Sequence, residues 1–350
     1  VGVSMFFVLS GCLLSLPFWK AFEAKTKFPS LKHYALRRLA RIAPAFWVNL
    51  AISTLVATLV FGLELNLPKF FTGLFFVNSY NYTTFFPAEL NGPLWSIGLE
   101  VSCYLLLPFA LYAIYKVAKT TRGAIVGLSL QILVLQLINP LLIQVVMTDT
   151  HEKGWQFGLD GGAKLWIPYW NVGTFFSQFL LGSLAALVIA SLGSKVRKQS
   201  KLYDAGFVAF SAAAALLVVW RLSPGNPDSL TQQPYVAPYF AALVAGALVC
   251  LNSSVVLGRL VDNRLMRWLA KLSFGIYLWH MLVIEIIARK FNADYVYGGM
   301  QNVLVWVITS AIVLVVATAL AAISWKWLES PILKLVNQKI QLGGDKSTAK

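Results

Sequence analysis

The stretch Asn302–Trp325, NVLVWVITSAIVLVVATALAAISW, runs for 24 residues without a charged side chain. A helix rises 1.5 Å per residue, so this run is long enough to cross the ~30 Å hydrocarbon layer of a bilayer. The same pattern recurs upstream. Apolar runs of spanning length lie at roughly 1–20, 42–63, 93–115, 123–147, 173–192, 204–222, 237–252 and 270–289, which with 302–325 makes nine. The run at 237–252 is short and can start earlier, near Tyr235. The segment at 68–80, PKFFTGLFFVNSY, is too short and too aromatic to span, and it reads as interfacial or re-entrant.

Composition agrees. Of the 350 residues, 58% are hydrophobic, 14% aromatic and 12% charged, with a mean hydropathy of +0.69. A soluble domain carries about 25% charged residues. This chain cannot clothe a water-facing surface, and the expected fold is an all-α integral membrane protein, a polytopic helical bundle. Cys12, Cys103 and Cys250 lie far apart inside apolar runs, which predicts ordinary packing. Their spacing offers neither a disulfide framework nor metal ligation.

The net charge of +15 is distributed by topology. One alternate set of loops holds 23 of the 29 Lys and Arg residues, in clusters at 20–41, 116–122, 195–201, 259–271 and 326–350. The other set holds Lys69, Lys153, Lys164, Arg221, Arg289 and Lys290. The positive-inside rule places the rich set, and the C-terminus, in the cytoplasm. The same split removes nucleic acid as the partner, leaving the lipid bilayer. It also makes the first run enter from outside, although no basic flank, signal peptide or leading loop precedes Val1. The expectation is that one further span lies upstream, giving ten.

An ionisable residue inside a membrane is costly and marks a functional candidate. Glu100 lies in PLWSIGLEVSCY, with Pro93 suited to a first helical turn and Ser96 one turn before the carboxylate. Trp95 is expected near the outer interface. Its structural alternative is that Glu100 pairs with a polar group on another helix. His280, in LSFGIYLWH, sits near mid-membrane, with Ser273 and Tyr277 on the same helix face. Neutral histidine can act as acid, base or hydrogen-bond hub, or it can fill a purely structural hydrogen bond. Glu285 is expected to pair with Arg289 at i+4. Arg37, Arg38 and Arg41 stand at the cytoplasmic mouth of the second span. Guanidinium forks there suit phosphates, or they merely fix topology against lipid headgroups. His33 and His151 receive no role.

Five segments in order resemble the acyltransferase-3 family of bacterial membrane O-acyltransferases. Val3–Leu14 (VSMFFVLSGCLL) is similar to the family's GVDLFFVLSGFLI, with Ser4 where Asp is common. Tyr34–Pro44 (YALRRLARIAP) resembles its RxxR-containing segment. Pro93–Tyr104 resembles PLWSLSVEEQFY, with Val101 in place of the second Glu. Leu272–His280 resembles ISYSLYLWH, and Trp327–Ile332 (WLESPI) resembles F-I-E-x-P-F.

The resemblance implies a ten-helix transmembrane acyltransferase domain over 1–330, followed by a short cytoplasmic tail at 331–350. It implies transfer of an acyl group, most often acetyl, from cytoplasmic acyl-CoA to a hydroxyl of a glycan or other carbohydrate, often at the outer face. Acetyl-CoA or another acyl-CoA is then a co-substrate, with no bound cofactor and no metal, and the location is the bacterial cytoplasmic (inner) membrane. Arg38 and Arg41, with Arg37 beside them, become the acyl-CoA site. Glu100 and His280 become catalytic, while Trp95, Ser96 and Tyr277 meet the acceptor. The family's catalytic Arg and His belong to a span upstream of the FFVLSG segment, so Glu100 would orient that His and His280 with Ser96 would steady the acceptor or the oxyanion. A polytopic transporter or flippase of a small molecule or lipid-linked sugar is the alternative, but no repeated segment or paired broken helices support it.

Overall fold

The computed structural model describes residues 2–147, 170–193, 201–221, 233–291 and 302–348. Among these, all regular structure is helical. Twelve α-helices follow in order: α1 (Gly2–Glu23), α2 (Leu31–Leu55), α3 (Leu67–Leu74), α4 (Trp95–Val117), α5 (Thr121–Met147), α6 (Val172–Leu192), α7 (Lys201–Arg221), α8 (Gln233–Ser253), α9 (Leu257–Val261), α10 (Arg264–Phe291), α11 (Val303–Ser324) and α12 (Ser330–Thr348). Two π-helical turns, Val56–Val60 and Trp325–Glu329, continue α2 and α11.

Among the described residues, eight helices are long and apolar enough to cross a membrane, and Pro238–Ser253 in α8 is a shorter apolar helix. These nine correspond to the nine runs read from the sequence. The protein is an all-α, multi-pass integral membrane protein. Its outward surface fits that solvent: Leu202, Val208, Leu216, Val219 and Trp220 along α7 are all exposed. A contiguous apolar face of this kind belongs against lipid rather than water. The interfacial expectation at 68–80 meets α3, eight residues long and so too short to span.

One boundary differs from the sequence reading. The second span begins at Leu31, not near position 42, because the charged stretch LKHYALRRLAR is already helical. Hydropathy passes over such a stretch, whereas the N-cap does not: Ser30 Oγ accepts from the His33 N–H at 3.4 Å. Asn66, Asn171 and Asn302 cap α3, α6 and α11 in the same way, each accepting from the N–H three residues on. The region after Pro331, read as a tail, is helical through Thr348.

The chain divides into two compact units. The first comprises Val1–Pro29 and Leu99–Asn263, the second Ser30–Gly98 and Arg264–Lys350. In the first, α1 and α6 run parallel. Phe7 meets Phe175 with ring centroids 4.6 Å apart, and Trp19 Nε1 donates to Ser183 Oγ at 2.9 Å. Between those contacts the two backbones touch. A Cβ on Gly11 would lie 2.0 Å from the Phe179 carbonyl oxygen, and one on Gly182 would lie 1.9 Å from that of Val8. Small residues at a crossing are how helices pack where lipid removes the hydrophobic drive. In the second unit α10 packs on α11, with Gly275 against Ala321.

Candidate active site

The sequence-predicted residues fall into three polar clusters, one in the first unit and two in the second.

In the first unit, α4 carries Glu100 and Tyr104 one turn apart, and α1 brings Ser10. Ser10 Oγ donates to Glu100 Oε1 at 2.9 Å, and Tyr104 Oη donates to the same oxygen at 2.5 Å. Both hydroxyls thus converge on one oxygen of the Glu100 carboxyl group. The Tyr104 ring meets Phe179 edge-on at 5.9 Å. Ser10 belongs to the FFVLSG segment. Sequence reading missed it because nothing in helical spacing links α1 to Glu100.

In the second unit, Ser96 Oγ and Tyr277 Oη lie 2.7 Å apart. Both also reach the Pro93 carbonyl, Tyr277 at 2.9 Å and Ser96 at 3.2 Å. Pro93 opens the turn Gly92–Leu94 that leads into α4, and α10 is thereby tied to that turn. His280 follows Tyr277 by one turn of α10, with ring centroids 5.6 Å apart. Its Nδ1 lies 2.7 Å from the Tyr277 carbonyl oxygen and 3.3 Å from that of Ile276. Carbonyls only accept, so Nδ1 carries a proton, and in the neutral ring Nε2 presents the lone pair. Ser273, on the same polar stripe, donates back to the Ala270 carbonyl at 3.0 Å. Trp95 is buried and stacks on Phe85 at 5.2 Å, forming a wall of the turn.

Behind this pair lies a fully buried amide cluster that sequence reasoning did not find. Asn91 Nδ2 donates to Leu278 O at 2.8 Å and to Asn49 Oδ1 at 2.9 Å, and Asn49 Nδ2 donates to the same Leu278 carbonyl at 3.0 Å. The signal was present as an Asn two residues before PLWS, but its partners come from distant helices.

The third cluster surrounds Arg41. Arg37 is exposed and Arg38 half-buried on α2. Arg41, one turn on from Arg38, forms an ion pair with Glu329 and donates through Nη2 to the Lys271 carbonyl at 2.9 Å. Its guanidinium also lies over the Trp325 and Phe274 rings. Glu329 is the Glu of WLESPI and went unassigned in the sequence reading. Glu285 pairs with Arg289 at 3.1 Å, the i,i+4 contact expected. Cys12, Cys103 and Cys250 are free thiols. His151 lies outside the described residues.

The chain belongs to the acyltransferase-3 family: the family's acyltransferase domain matches residues 1–322. Its relatives are similar over 95% of its length. One is Nodulation protein 10 of Rhizobium leguminosarum bv. viciae, 24% identical over 82% of that protein. Another is "Putative peptidoglycan O-acetyltransferase YrhL" of Bacillus subtilis, 26% identical over 50% of it. A third is O-acetyltransferase OatA of Staphylococcus aureus, 24% identical over 52%. The chain thus spans about half the length of the last two. No solved structure is significantly similar.

Proposed function

We propose that the protein moves an acyl group, acetyl in the first instance, from cytoplasmic acyl-CoA to a hydroxyl of a carbohydrate acceptor. The observation that carries this reading is His280, whose Nδ1 is held by backbone carbonyls beside the Ser96–Tyr277 pair. A sugar hydroxyl is a weak nucleophile and needs a base within hydrogen-bond reach. His280 Nε2 has the lone pair for that contact. The name of the Bacillus subtilis relative, with its peptidoglycan acceptor, supports a carbohydrate.

The reaction balances simply. The acceptor oxygen bonds to the thioester carbonyl carbon, the carbon–sulfur bond breaks, and the hydroxyl proton ends on the departing CoA sulfur. Ser96 and Tyr277 supply hydroxyl hydrogen bonds to the acceptor, and Trp95 closes the wall behind them. Glu100, which accepts from Ser10 and Tyr104 within the first unit, is the second catalytic group of this reading. Arg37 and Arg38 take the donor's phosphates, and Arg41, fixed by Glu329, adds its charge one turn further in. The charge split between alternate loops supports a cytoplasmic C-terminus and donor entry from that side, in the bacterial inner membrane.

The test uses the full-length protein in membrane vesicles, with labelled acetyl-CoA supplied on the cytoplasmic side. Label passes into the glycan fraction with wild type and falls at least a hundredfold with His280→Ala or Glu100→Gln. Intact membrane-inserted wild type that transfers no label would overturn the reading and favour a transporter.

A further inference from the structure

Two contacts fix how α2 and α10 run in the second unit. Arg41 donates to the Lys271 carbonyl, and further along both helices Asn49 donates to the carbonyl of Leu278. The helices are therefore parallel and in register. Arg38, one turn before Arg41, stands at the depth of the first two turns of α10, from Arg264 to Lys271. Helical phase sets which sides meet. Arg38 and Asn49 are three full turns apart, so Arg38 lies on the side of α2 that meets α10. Arg264, Lys271 and Leu278 follow one another every two turns and share the side of α10 that meets α2.

That shared side changes character along the helices. It is packed at Leu278, which is buried, and open at the end read as cytoplasmic, where Lys271 and Arg264 are exposed and Arg38 is half-buried. Three cations thus line an accessible notch. Among the described residues no carboxylate pairs with any of them. Arg41, at the head of the notch, is already answered by Glu329. Like charges on facing helices repel, and an anion between them turns the repulsion into attraction. Arg264 and Lys271 stand about 10 Å apart along the axis of α10, a span for more than one phosphate group.

We propose that Arg264 and Lys271 form the α10 half of a phosphate-binding notch whose α2 half is Arg38, and that it holds the phosphate groups of acyl-CoA. This rests on the acyltransferase reading above and adds a second helix to its donor site. Acyl-CoA carries a diphosphate and a ribose 3′-phosphate on one molecule, so cations on two helices can hold it at once. The guanidinium groups grip phosphate through paired N–H bonds, and the ammonium of Lys271 adds a point charge. Phospholipid headgroups at the membrane surface offer the same phosphate chemistry, and the experiment separates the two sources.

The experiment compares wild type with Arg264→Gln, Lys271→Gln and the conservative Lys271→Arg, in the full-length protein reconstituted in nanodiscs of phosphatidylcholine. Labelled acetyl-CoA is the probe, read both by equilibrium binding and by transfer of label. Each glutamine variant is expected to weaken binding about fivefold or more at an unchanged unfolding midpoint, while Lys271→Arg stays within twofold of wild type. Lys32 is exposed on α2 a third of a turn away from the side of Arg38, and Lys32→Gln should also stay within twofold. An equal loss with Lys32→Gln makes the effect a general positive field and overturns the site. Unchanged binding in either glutamine variant, or a midpoint that falls in step with binding, overturns it too. If binding is unchanged but added phosphatidylglycerol raises the midpoint of wild type and not of the variants, the ligand is a lipid headgroup and the assignment to acyl-CoA is overturned. Wild type that binds acetyl-CoA more tightly than both glutamine variants yet transfers no label keeps the site while the acyltransferase reading fails. Wild type that transfers label as well as its variants do keeps that reading and removes the site. Wild type that binds no acetyl-CoA overturns the site outright.

Discussion

Arg41 and Glu329, 288 positions apart in the chain, meet in an ion pair set up by the π-helical turn that ends α11. The pair is more than a charge contact. Ser324 Oγ donates to the other Glu329 oxygen at 3.2 Å, the Lys271 carbonyl receives an Arg41 N–H, and Trp325 lies 4.7 Å beneath the guanidinium. One cation thus joins α2, α10 and the turn after α11. π-turns are rare and often sit at functional places, and this one delivers the Glu of WLESPI to the last Arg of the RxxR segment.

Arg41→Ala should therefore be a folding variant before it is a binding variant. Glu329 is 1% exposed and Arg41 20%. Removing the cation strands a buried carboxylate, at about 3 kcal/mol after allowance for the exposed side of the arginine. Glu329→Gln costs less, and Arg41→Met with Glu329→Leu recovers most of the loss. Unfolding midpoints in detergent read all three. An Arg41→Ala protein as stable as wild type would remove the clamp.

Arg38→Ala should separate cleanly from that. Arg38 is half-buried at one face of the same helix. Losing a charge-assisted contact to phosphate costs roughly 1.5–3 kcal/mol, so the KM for acyl-CoA should rise about ten- to hundredfold with the midpoint unchanged. Steady-state kinetics with varied donor checks this. An unchanged KM would leave Arg38 to lipid headgroups and topology.

These two arginines show what the sequence could and could not disclose. Spacing put Arg38 and Arg41 on one face, but the partner of Arg41 arrives from the far end of the chain, where no periodicity points to it. The nine spans were legible because twenty apolar residues have few other uses. The start of α2 was not, since hydropathy ignores a charged amphipathic turn and only the Ser30 cap marks it. Ser96, Tyr277 and His280 were found individually as polar groups in apolar helices, and the structure joins the first two across α4 and α10. Ser10 and Asn49 were passed over because a small or neutral polar residue barely lowers the hydropathy of a span.

The crossing of α1 and α6 makes a sharper structural prediction. A Cβ at Gly182 would lie 1.9 Å from the Val8 carbonyl oxygen and 2.8 Å from the Cys12 nitrogen, both backbone atoms that cannot swing aside. Gly182→Ala must push the helices apart, and the usual penalty for forced overpacking is about 1–3 kcal/mol or more. The same change at Gly123, where the nearest atom is 3.4 Å away, should be neutral or mildly stabilising because alanine favours the helix. Yield of folded protein from membranes and its midpoint distinguish the two. Equal behaviour at both sites would mean that α1 and α6 do not cross so closely.

The amide cluster on Leu278 should act on chemistry through α10. Asn49 and Asn91 both donate to the Leu278 carbonyl, one residue after Tyr277 and two before His280. That carbonyl lies fully inside the protein, where an unmet acceptor costs about 1–3 kcal/mol. Asn91→Ala removes one donor to that carbonyl and leaves Asn49 Oδ1 only the longer contact from Ser53 Oγ at 3.5 Å, so a loss of about 2 kcal/mol in stability is expected. If the cluster also sets the depth and rotation of Tyr277 and His280, kcat falls more than the KM for acyl-CoA does. The effect of Tyr277→Phe then shrinks in the Asn91→Ala background, because groups acting as one unit are not additive. A double-mutant cycle on kcat, run at a temperature where all four proteins are folded, measures that coupling. Strict additivity would confine Asn91 to holding the fold and leave Tyr277 to be positioned by Pro93 and Ser96 alone.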